Sequence, residues 1–447
     1  MKRKIIITCI AVLIKTAICI MAFSQDTVMC LSVKKACKMG IERNVEVRNS
    51  ELEQTKRKSQ LSEARSKLYP QMDGYSTFSN NFAIPKLIVP GEIFGQNGPI
   101  PVEIGTKFDW SSGFRASQIL YNQSYFTSLK VLKSQENLSA ISTVMQKEEV
   151  VYQVTQVYFL CKYTEKQVEH LTGNLANMDR LADITRSQSD NGMIRKVDHD
   201  RVVVNRANIQ SHIDNLQYLH KKQLGLLCFL VGLDPNSNII LTDSLAAGSL
   251  YIPDKIFDPA NKTGIQMIKA QIEITSLSKK SKLQESLPSL TGYGQYYFQG
   301  QRNQFDFLKG GADKFYKVGV IGVSLHIPIF NGFEKRWSAV RFETELLQLH
   351  NTLDNTKKYL SKEYSDAISQ YKNSIIIISR QEENIRTAMA VYNINLLGYT
   401  RQVVPLSDLI LAEDNVTEAR LSYFTALLQL KNAELDLRKV RGELLEF

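Results

Sequence analysis

An internal duplication constrains the fold of this 447-residue chain more than any other feature of the sequence. Residues 113–122 (GFRASQILYN) align with residues 322–331 (GVSLHIPIFN), and residues 191–194 align with residues 401–404, in both cases with an offset of about 210 residues. A repeat of this length excludes a short-period solenoid. The fold problem therefore reduces to the structure of one half.

Each half has the order helix, strand, strand, very long helix, second long helix. Residues 122–188 contain no proline and only Gly173 as a helix breaker, which predicts a helix of roughly 100 Å. Helices of this length indicate a coiled coil or a helical barrel. The predicted segments are a signal peptide at 1–24; a first repeat at 25–232, with strands at about 71–82 and 110–121 and long helices at about 122–188 and 198–230; an inter-repeat linker or equatorial region at 233–264; and a second repeat at 265–447, with strands at about 289–299 and 318–330 and long helices at about 332–399 and 408–441.

The N-terminus predicts export from the cytoplasm. Residues 2–4 are basic, residues 5–14 are apolar, and Ala22 and Ser24 give the small-x-small pattern of a cleavage site before Gln25. The net charge of the whole chain is +10, and the predicted signal peptide carries four of the basic residues and no acid. The remaining charge is spread along helices without a basic, aromatic patch, so we expect no nucleic-acid partner.

No catalytic or metal-binding pattern emerges from the sequence. The six histidines form no HExxH spacing, and CxxC, GxSxG and glycine-rich phosphate loops are absent from the sequence. We therefore expect neither enzymatic activity nor a cofactor. The cysteines that remain after cleavage are predicted to be buried free thiols: Cys30, Cys37, Cys161 and Cys228.

The predicted strands carry the strongest functional signal. Apolar residues at Ile321, Val323, Leu325 and Ile327 alternate with small or polar ones, which is typical of a strand in a transmembrane β-barrel with these side chains facing lipid. Alternation alone fits a half-buried soluble hairpin equally well, but predicted export and aromatic residues near the strand ends favour the barrel. Four strands cannot close a barrel, and lipid forbids open edges, so several chains must combine. Three chains give twelve strands; counting alone leaves two or four copies open.

These features together resemble the TolC-like outer-membrane efflux proteins, the outer membrane factors. The resemblance rests on the helix opening at residues 44–47 (NVEV), the Tyr-Pro and Leu-Pro entries to the first strand of each half, residues 327–332 (IPIFNG) and residues 399–408 (YTRQVVPLSD). It covers nearly the whole mature chain.

The resemblance implies a mixed α/β membrane protein in which three duplicated chains form a twelve-stranded transmembrane β-barrel, continued by a long α-helical barrel. It also implies a location in the outer membrane of a Gram-negative bacterium, extending into the periplasm. The implied partners are two further copies of the chain, outer-membrane lipid, a periplasmic adaptor (membrane fusion) protein and an inner-membrane pump. The implied function is a passive duct for efflux or type I secretion.

The same resemblance implies a narrow periplasmic aperture at the two helix-to-helix turns. Asp198 and Asp408 match family aspartates there, and Arg195 and Arg401 are candidate ion-pair partners. The turns themselves are candidate docking sites for the adaptor: Gly192, Met193, Ile194, Gln402, Val403 and Val404. Three positions depart from the family pattern, with Leu411 for a second aspartate, Gln402 for a glycine and Val404 for an arginine. A simpler hypothesis is that both aspartates are helix N-caps.

Two other classes of protein remain possible on the sequence. One is a secreted coiled-coil scaffold or adhesin without a pore, and the other is a periplasmic adaptor. Adaptors usually carry one helical hairpin with lipoyl-like β segments, which the duplicated order does not match. The sequence identifies neither the cargo, whether drug, metal, lipid or polypeptide, nor the class of pump.

Overall fold

A computed structural model describes residues 29–95, 97–246, 257–307, 309 and 315–446, and the predicted signal peptide lies outside the described residues. The described elements confirm a mixed α/β composition. The strands are β1 (Met29–Leu31), β2 (Gln71–Asn80), β3 (Lys86–Pro90), β4 (Pro99–Glu103), β5 (Phe108–Tyr121), β6 (Ile239–Leu241), β7 (Ser289–Arg302) and β8 (Tyr316–His326). The helices are α1 (Val33–Arg43), α2 (Val45–Ser66), α3 (Gln123–Asp190), α4 (Lys196–Leu230), α5 (Thr263–Gln284), α6 (Glu334–Thr400) and α7 (Leu406–Arg441).

The chain divides into two compact units, each built from separate stretches of sequence. The unit that contains the long sheet comprises the described residues of the ranges 53–139 and 268–352. The helical unit comprises the described residues of the ranges 29–52, 140–267 and 353–446. Both units draw on both halves of the duplication. Among the described helices, none is long and apolar enough to cross a membrane.

The sheet unit is organised by four antiparallel strands in the order β2-β5-β7-β8. The two strands of each half are neighbours, and the halves join where β5 pairs with β7. Phe114 lies opposite Gly74 on one side and Tyr296 on the other, and this register continues to Gly319 in β8. Because side chains alternate along a strand, the register decides which residues share a face of the sheet.

A glycine at the centre of the sheet permits the close pairing of β5 and β7. Gly113 lies opposite Tyr297, and a Cβ atom at Gly113 would come within 2.3 Å of both the Tyr297 Cβ and the Tyr296 carbonyl oxygen. Real Cβ atoms do not approach backbone so closely, so any other residue would force the two strands apart.

The last strand is shorter than the sequence predicts. β8 ends at His326, and the prediction that the strand continues to about 330 is wrong. Pro328 has no N–H group to donate to a ladder and restricts the residue before it. Ile327, predicted as a lipid-facing strand residue, therefore lies just beyond the strand, although its side chain is exposed. In the first half the position equivalent to Pro328 is Ile119, and β5 continues to Tyr121 through a bulge after that residue.

Two pieces of β-structure lie where the sequence predicts none. The polar connection between the first two predicted strands contains the hairpin β3–β4, with a Lys86–Glu103 ion pair of 3.4 Å at its base. In the helical unit, β1 pairs in parallel with β6, so that Met29 lies opposite Ile239. Each β1–β6 strand has three residues, too few to show an alternating pattern.

The helical unit has its largest apolar core beside the β1–β6 pair. Tyr158 of α3 is fully buried there, and its hydroxyl donates to the Leu31 carbonyl oxygen at 2.9 Å. Asn44 separates α1 from α2, where its side chain donates to the Leu230 carbonyl oxygen and accepts from the Glu46 N–H. Two further clusters follow along the helices, one of which lies near the ends of α3 and α6 and the starts of α4 and α7.

We expect Gly113→Ala to destabilise the sheet unit by about 2–3 kcal/mol, because the added methyl group would overpack a backbone contact. Gly74→Ala is the matched control, since a Cβ atom there would meet only the Phe114 ring at an ordinary 3.6 Å. Thermal unfolding measures both changes. Equal stability of the two variants would contradict the close approach at Gly113.

Candidate functional site

The two turns between the long helices have the same backbone geometry. In the first, Gly192 adopts a φ of 70° and the Met193 N–H donates to the Gln188 carbonyl oxygen at 2.8 Å. In the second, Gln402 adopts a φ of 59° and the Val403 N–H donates to the Gly398 carbonyl oxygen at 2.9 Å. Helices α3 and α6 are thus each followed by one residue in the left-handed conformation and by a backbone hydrogen bond that closes the last turn.

The second turn places ordinary side chains where the geometry favours small ones. Gln402 is strained, because a Cβ atom in the left-handed region clashes with the backbone. Val404 packs directly on the preceding helix: a Cβ atom added at Gly398 would lie 2.4 Å from its Cγ2 atom. Val404 is thus held against α6, at the position where the family resemblance implies an arginine.

Asp198 and Asp408 occupy equivalent places, but they are not N-caps. Helix α4 begins at Lys196 and α7 at Leu406, so each aspartate is the third residue of its helix. The residues at the N-cap positions are Arg195 and Pro405, and neither makes a side-chain capping bond. The N-cap hypothesis is therefore wrong, and each helix begins two residues before its predicted start at about 198 or about 408. The carboxylates still benefit from the positive end of the helix dipole.

The environments of the two aspartates differ in charge. Arg195 donates to both carboxylate oxygens of Asp198, from Nε at 3.1 Å and from Nη2 at 3.2 Å. This hydrogen bond and the negative charge of Asp198 raise the pKa of Arg195. Arg201 lies 3.8 Å from the same carboxylate. Asp408 accepts a hydrogen bond from the Ser407 hydroxyl at 3.1 Å, and no described lysine or arginine lies within ion-pair distance of it. Arg401, predicted as an ion-pair partner, forms no ion pair with any described residue.

A groove of about 590 Å³ brings the two turns together. The Tyr399 hydroxyl donates to the Gln188 side-chain oxygen at 3.1 Å and so links the ends of α3 and α6. Burial, and secondarily the charge of Asp198, raises the pKa of Tyr399. The groove is lined by Met193, Ile194, Arg195, Asp198, Gln402 and Val404 among the predicted site residues, together with Arg201 and Tyr399. Gly192, Arg401, Val403 and Asp408 do not line it.

One buried carboxyl group near these turns was not predicted. Glu413 in α7 is 7% exposed, and no described side chain or backbone group donates a hydrogen bond to it. Burial raises the pKa of Glu413 to about 7, and the neighbouring Asp414 adds to the effect. Nothing in the sequence separates Glu413 from the exposed acids around it, because its burial depends on α3 and α6. Elsewhere in the described residues, no three His, Cys, Asp or Glu side chains are grouped so that they could hold a metal ion.

In the sheet unit, the register sorts the strands into one apolar and one polar face. Ile321, Val323 and Leu325 share a face with Phe114 and Trp110. Some polar side chains on this face satisfy one another: the Trp110 Nε1 atom donates to Ser76 Oγ and Ser112 Oγ, each at 3.0 Å. The other polar side chains of this face lie towards the ends of the strands: Asn80, Gln118, Arg302 and Lys317. The opposite face is rich in hydroxyl and amide groups: Gln71, Asp73, Thr77, Ser79, Asp109, Ser111, Arg115, Ser117, Thr291, Gln295, Gln299, Gln301 and Ser324.

Known structures share this fold. CusC superposes with a TM-score of 0.74 at 15% sequence identity, covering 91% of each chain. The CmeC outer membrane channel of Campylobacter jejuni gives 0.73 at 17% identity, covering 92% of this chain and 85% of that one. The outer membrane protein VceC of Vibrio cholerae gives 0.71 at 12% identity, covering 92% and 96%. No protein-family model and no curated protein matches the sequence. The chain has the fold of TolC-like outer-membrane channels.

We expect Gln402→Gly to stabilise the protein by about 0.5–1 kcal/mol, because glycine adopts the left-handed conformation without strain. This net value already allows for the conformational entropy that glycine adds to the unfolded chain, which offsets part of the gain. Gly192→Gln is the reciprocal control and should destabilise by a similar amount. Chemical unfolding measures both free energies. Changes of the same sign would contradict the equivalence of the two turns.

We expect Glu413 to make stability fall as pH rises. The unfolded carboxyl loses its proton above about pH 4.5, whereas the folded one keeps it until about pH 7, so folding becomes less favourable across that interval by up to about 3 kcal/mol. Glu413→Gln should remove this dependence and raise the melting temperature at pH 8. Glu418→Gln, an exposed position on the same helix, is the control. If the melting temperatures of wild type and Glu413→Gln changed in parallel with pH, Glu413 would not be the cause of the pH dependence.

Proposed function

We propose that this chain is the outer-membrane channel of a tripartite efflux or type I secretion system in a Gram-negative bacterium. It forms a passive duct from the periplasm to the exterior and catalyses no reaction. The observation that carries this proposal is the four-stranded sheet with one apolar and one polar face.

The apolar face has the height of a membrane. From Leu290, opposite Leu325, to Gly300, opposite Trp110, is a run of eleven residues, or ten steps, along β7. At ~3.4 Å per residue and a tilt of ~40°, this run rises roughly 26 Å, close to the ~25 Å apolar band of outer-membrane barrels. Ile321 and Val323 lie within the band and are largely exposed, at 91% and 61%. This geometry favours lipid as the partner of this face.

The edges of the sheet require further copies of the chain. No described strand pairs with the outer edge of β2 or of β8. Inside lipid, each unpaired backbone group costs several kcal/mol, so the edges must pair with one another in a closed barrel. Three copies give twelve strands, enough to leave a lumen lined by the polar faces. We infer a homotrimer.

The long helices supply the second part of the duct. Helices α3 and α6 have 68 and 67 residues, and each is followed by a helix of about half that length. Twelve such helical passes in a trimer form a helical barrel in the periplasm. The known structures with this fold support this arrangement, since CmeC is described as an outer membrane channel.

The two turns form the periplasmic end of the duct and dock to a periplasmic adaptor, which connects the channel to an inner-membrane pump. Met193, Ile194 and Val403 are candidate contacts, because apolar residues in exposed turns indicate a partner surface. Asp408 rather than Asp198 provides the uncompensated charge of the aperture, since two arginines neutralise Asp198. A partner for Arg401 would belong to a neighbouring copy.

The test combines assembly with conductance. The detergent-extracted protein should have the native mass of a trimer and form cation-selective channels in planar bilayers. Asp408→Asn should lower that selectivity, because it removes a ring of like charges from a narrow opening. A stable monomer, or a trimer without conductance, would refute the duct. Unchanged selectivity in Asp408→Asn would remove only the aperture role.

A further inference from the structure

The polar face of the sheet has an uneven distribution of charge. Its charged side chains in the described strands are Asp73, Arg115 and Asp109. Asp73 and Arg115 lie directly opposite each other, and the Arg115 guanidinium sits 4.6 Å from the centre of the Tyr75 ring. Because the two residues have opposite charges and lie side by side, their charges cancel at this position along the strands. Asp109 lies six residues from Arg115, close to the loop end of β5.

Asp109 is held in place by neutral groups. Its Oδ2 atom accepts hydrogen bonds from Gln299 Nε2 at 3.1 Å and from Gln301 Nε2 at 2.9 Å. Its Oδ1 atom accepts no hydrogen bond from the described residues, and no described lysine or arginine lies within 4 Å of the carboxylate. The two amides fix the carboxylate on the polar face without neutralising it.

The basic residues nearest to Asp109 in the sequence and in the neighbouring strand do not pair with it. Their side chains make other contacts on the apolar face of the sheet. The Lys107 ammonium group lies 5.6 Å from the centre of the Phe108 ring, and Phe108 belongs to the apolar face. Arg302, on the same apolar face, forms an ion pair with Asp306 at 3.6 Å. The connecting segments 81–107 and 303–315 each contain two acidic and two basic residues. Composition therefore gives these loops no net charge to offset Asp109.

We propose that Asp109 is a charge-selectivity residue of the duct: three copies form a ring at the outer mouth of the barrel that attracts cations and cationic solutes. This inference rests on the proposed trimeric channel, in which the polar faces line the lumen. The ring is independent of the periplasmic aperture, because it lies in the sheet unit and at the loop end of the strands. The Asp109 ring favours the passage of cations over anions through the outer opening, whether the periplasmic aperture is open or closed.

Ser111 provides a local probe of this ring. It follows Asp109 by two residues on the same face and lies opposite Gln299. A cysteine there reacts with methanethiosulfonate reagents added from outside the cell, and the thiolate displaces methanesulfinate to form a mixed disulfide. The ratio of the rates for a cationic and an anionic reagent of similar size reports the local potential, because any effect on the thiol's own ionisation cancels. Cys30, predicted to be buried, is exposed, so Cys30→Ser is the background for this measurement; Cys37, Cys161 and Cys228 are buried as predicted.

We expect Asp109→Asn to lower the cation-to-anion rate ratio at Ser111→Cys about twofold, because one copy of Asp109 lies about 8 Å from the probe and the Debye length is about 8 Å in 0.15 M salt. The other two copies lie across the lumen, beyond the Debye length, and add little at this position. The difference should shrink in 1 M salt, where screening is stronger. Asp73→Asn is the matched control: it makes the same change on the same face, but roughly 14 Å from the probe, beyond the Debye length.

The outcomes separate the two proposals. An equal ratio with and without Asp109, in a cysteine that reacts readily, would overturn the cation ring and leave the channel intact. A cysteine at 111 that neither reagent modifies in the folded trimer would show that the polar face does not line water. That result would refute the channel, and the ring with it.

Discussion

Strand register is the constraint on which the rest of this structure depends. A slip of one residue between β5 and β7 would place Trp110 and Phe114 on the same face as Gln295, Gln299 and Gln301 of β7, and neither face would then be mainly apolar. The close approach at Gly113 and the bulge after Ile119 are specific to one pairing, so they help to fix the register. The sorting of side chains into a lipid surface and a water surface follows from that pairing.

The elements with a strong period could be predicted from the sequence, and those that depend on partners could not. Alternation at Ile321, Val323 and Leu325 predicts their common face, and the absence of proline from residues 122–188 predicts one long helix. The strand β1 has no local signal, because its partner is distant in sequence. The predicted extension through Ile327 failed because the apolar alternation continues past the point where Pro328 ends the hydrogen-bond ladder.

The candidate site shows the same division. The positions of both turns followed from the duplication, and the Arg201–Asp198 pair could have been found from its spacing of three residues along a helix. The duplication could not show that the aspartates lie within the first turn of their helices rather than at the N-cap, since cap position depends on where the preceding turn ends. Nor could it show that Arg195 pairs within its own turn while Arg401 does not, because the two turns share a backbone path but not their side chains.

The pairing of β1 with β6 has a consequence for the order of folding. Met29, near the start of the described chain, lies opposite Ile239, and the Val33 N–H donates to an oxygen of Asp243, 210 residues later. A chain that is made from its N-terminus cannot complete this corner of the core until more than half of its length has emerged. Contacts of such sequence separation are slow to form and leave apolar surface open to aggregation in the meantime. Exposed β1 and α1 are thus the segments that a holding chaperone would have to shield longest during biogenesis.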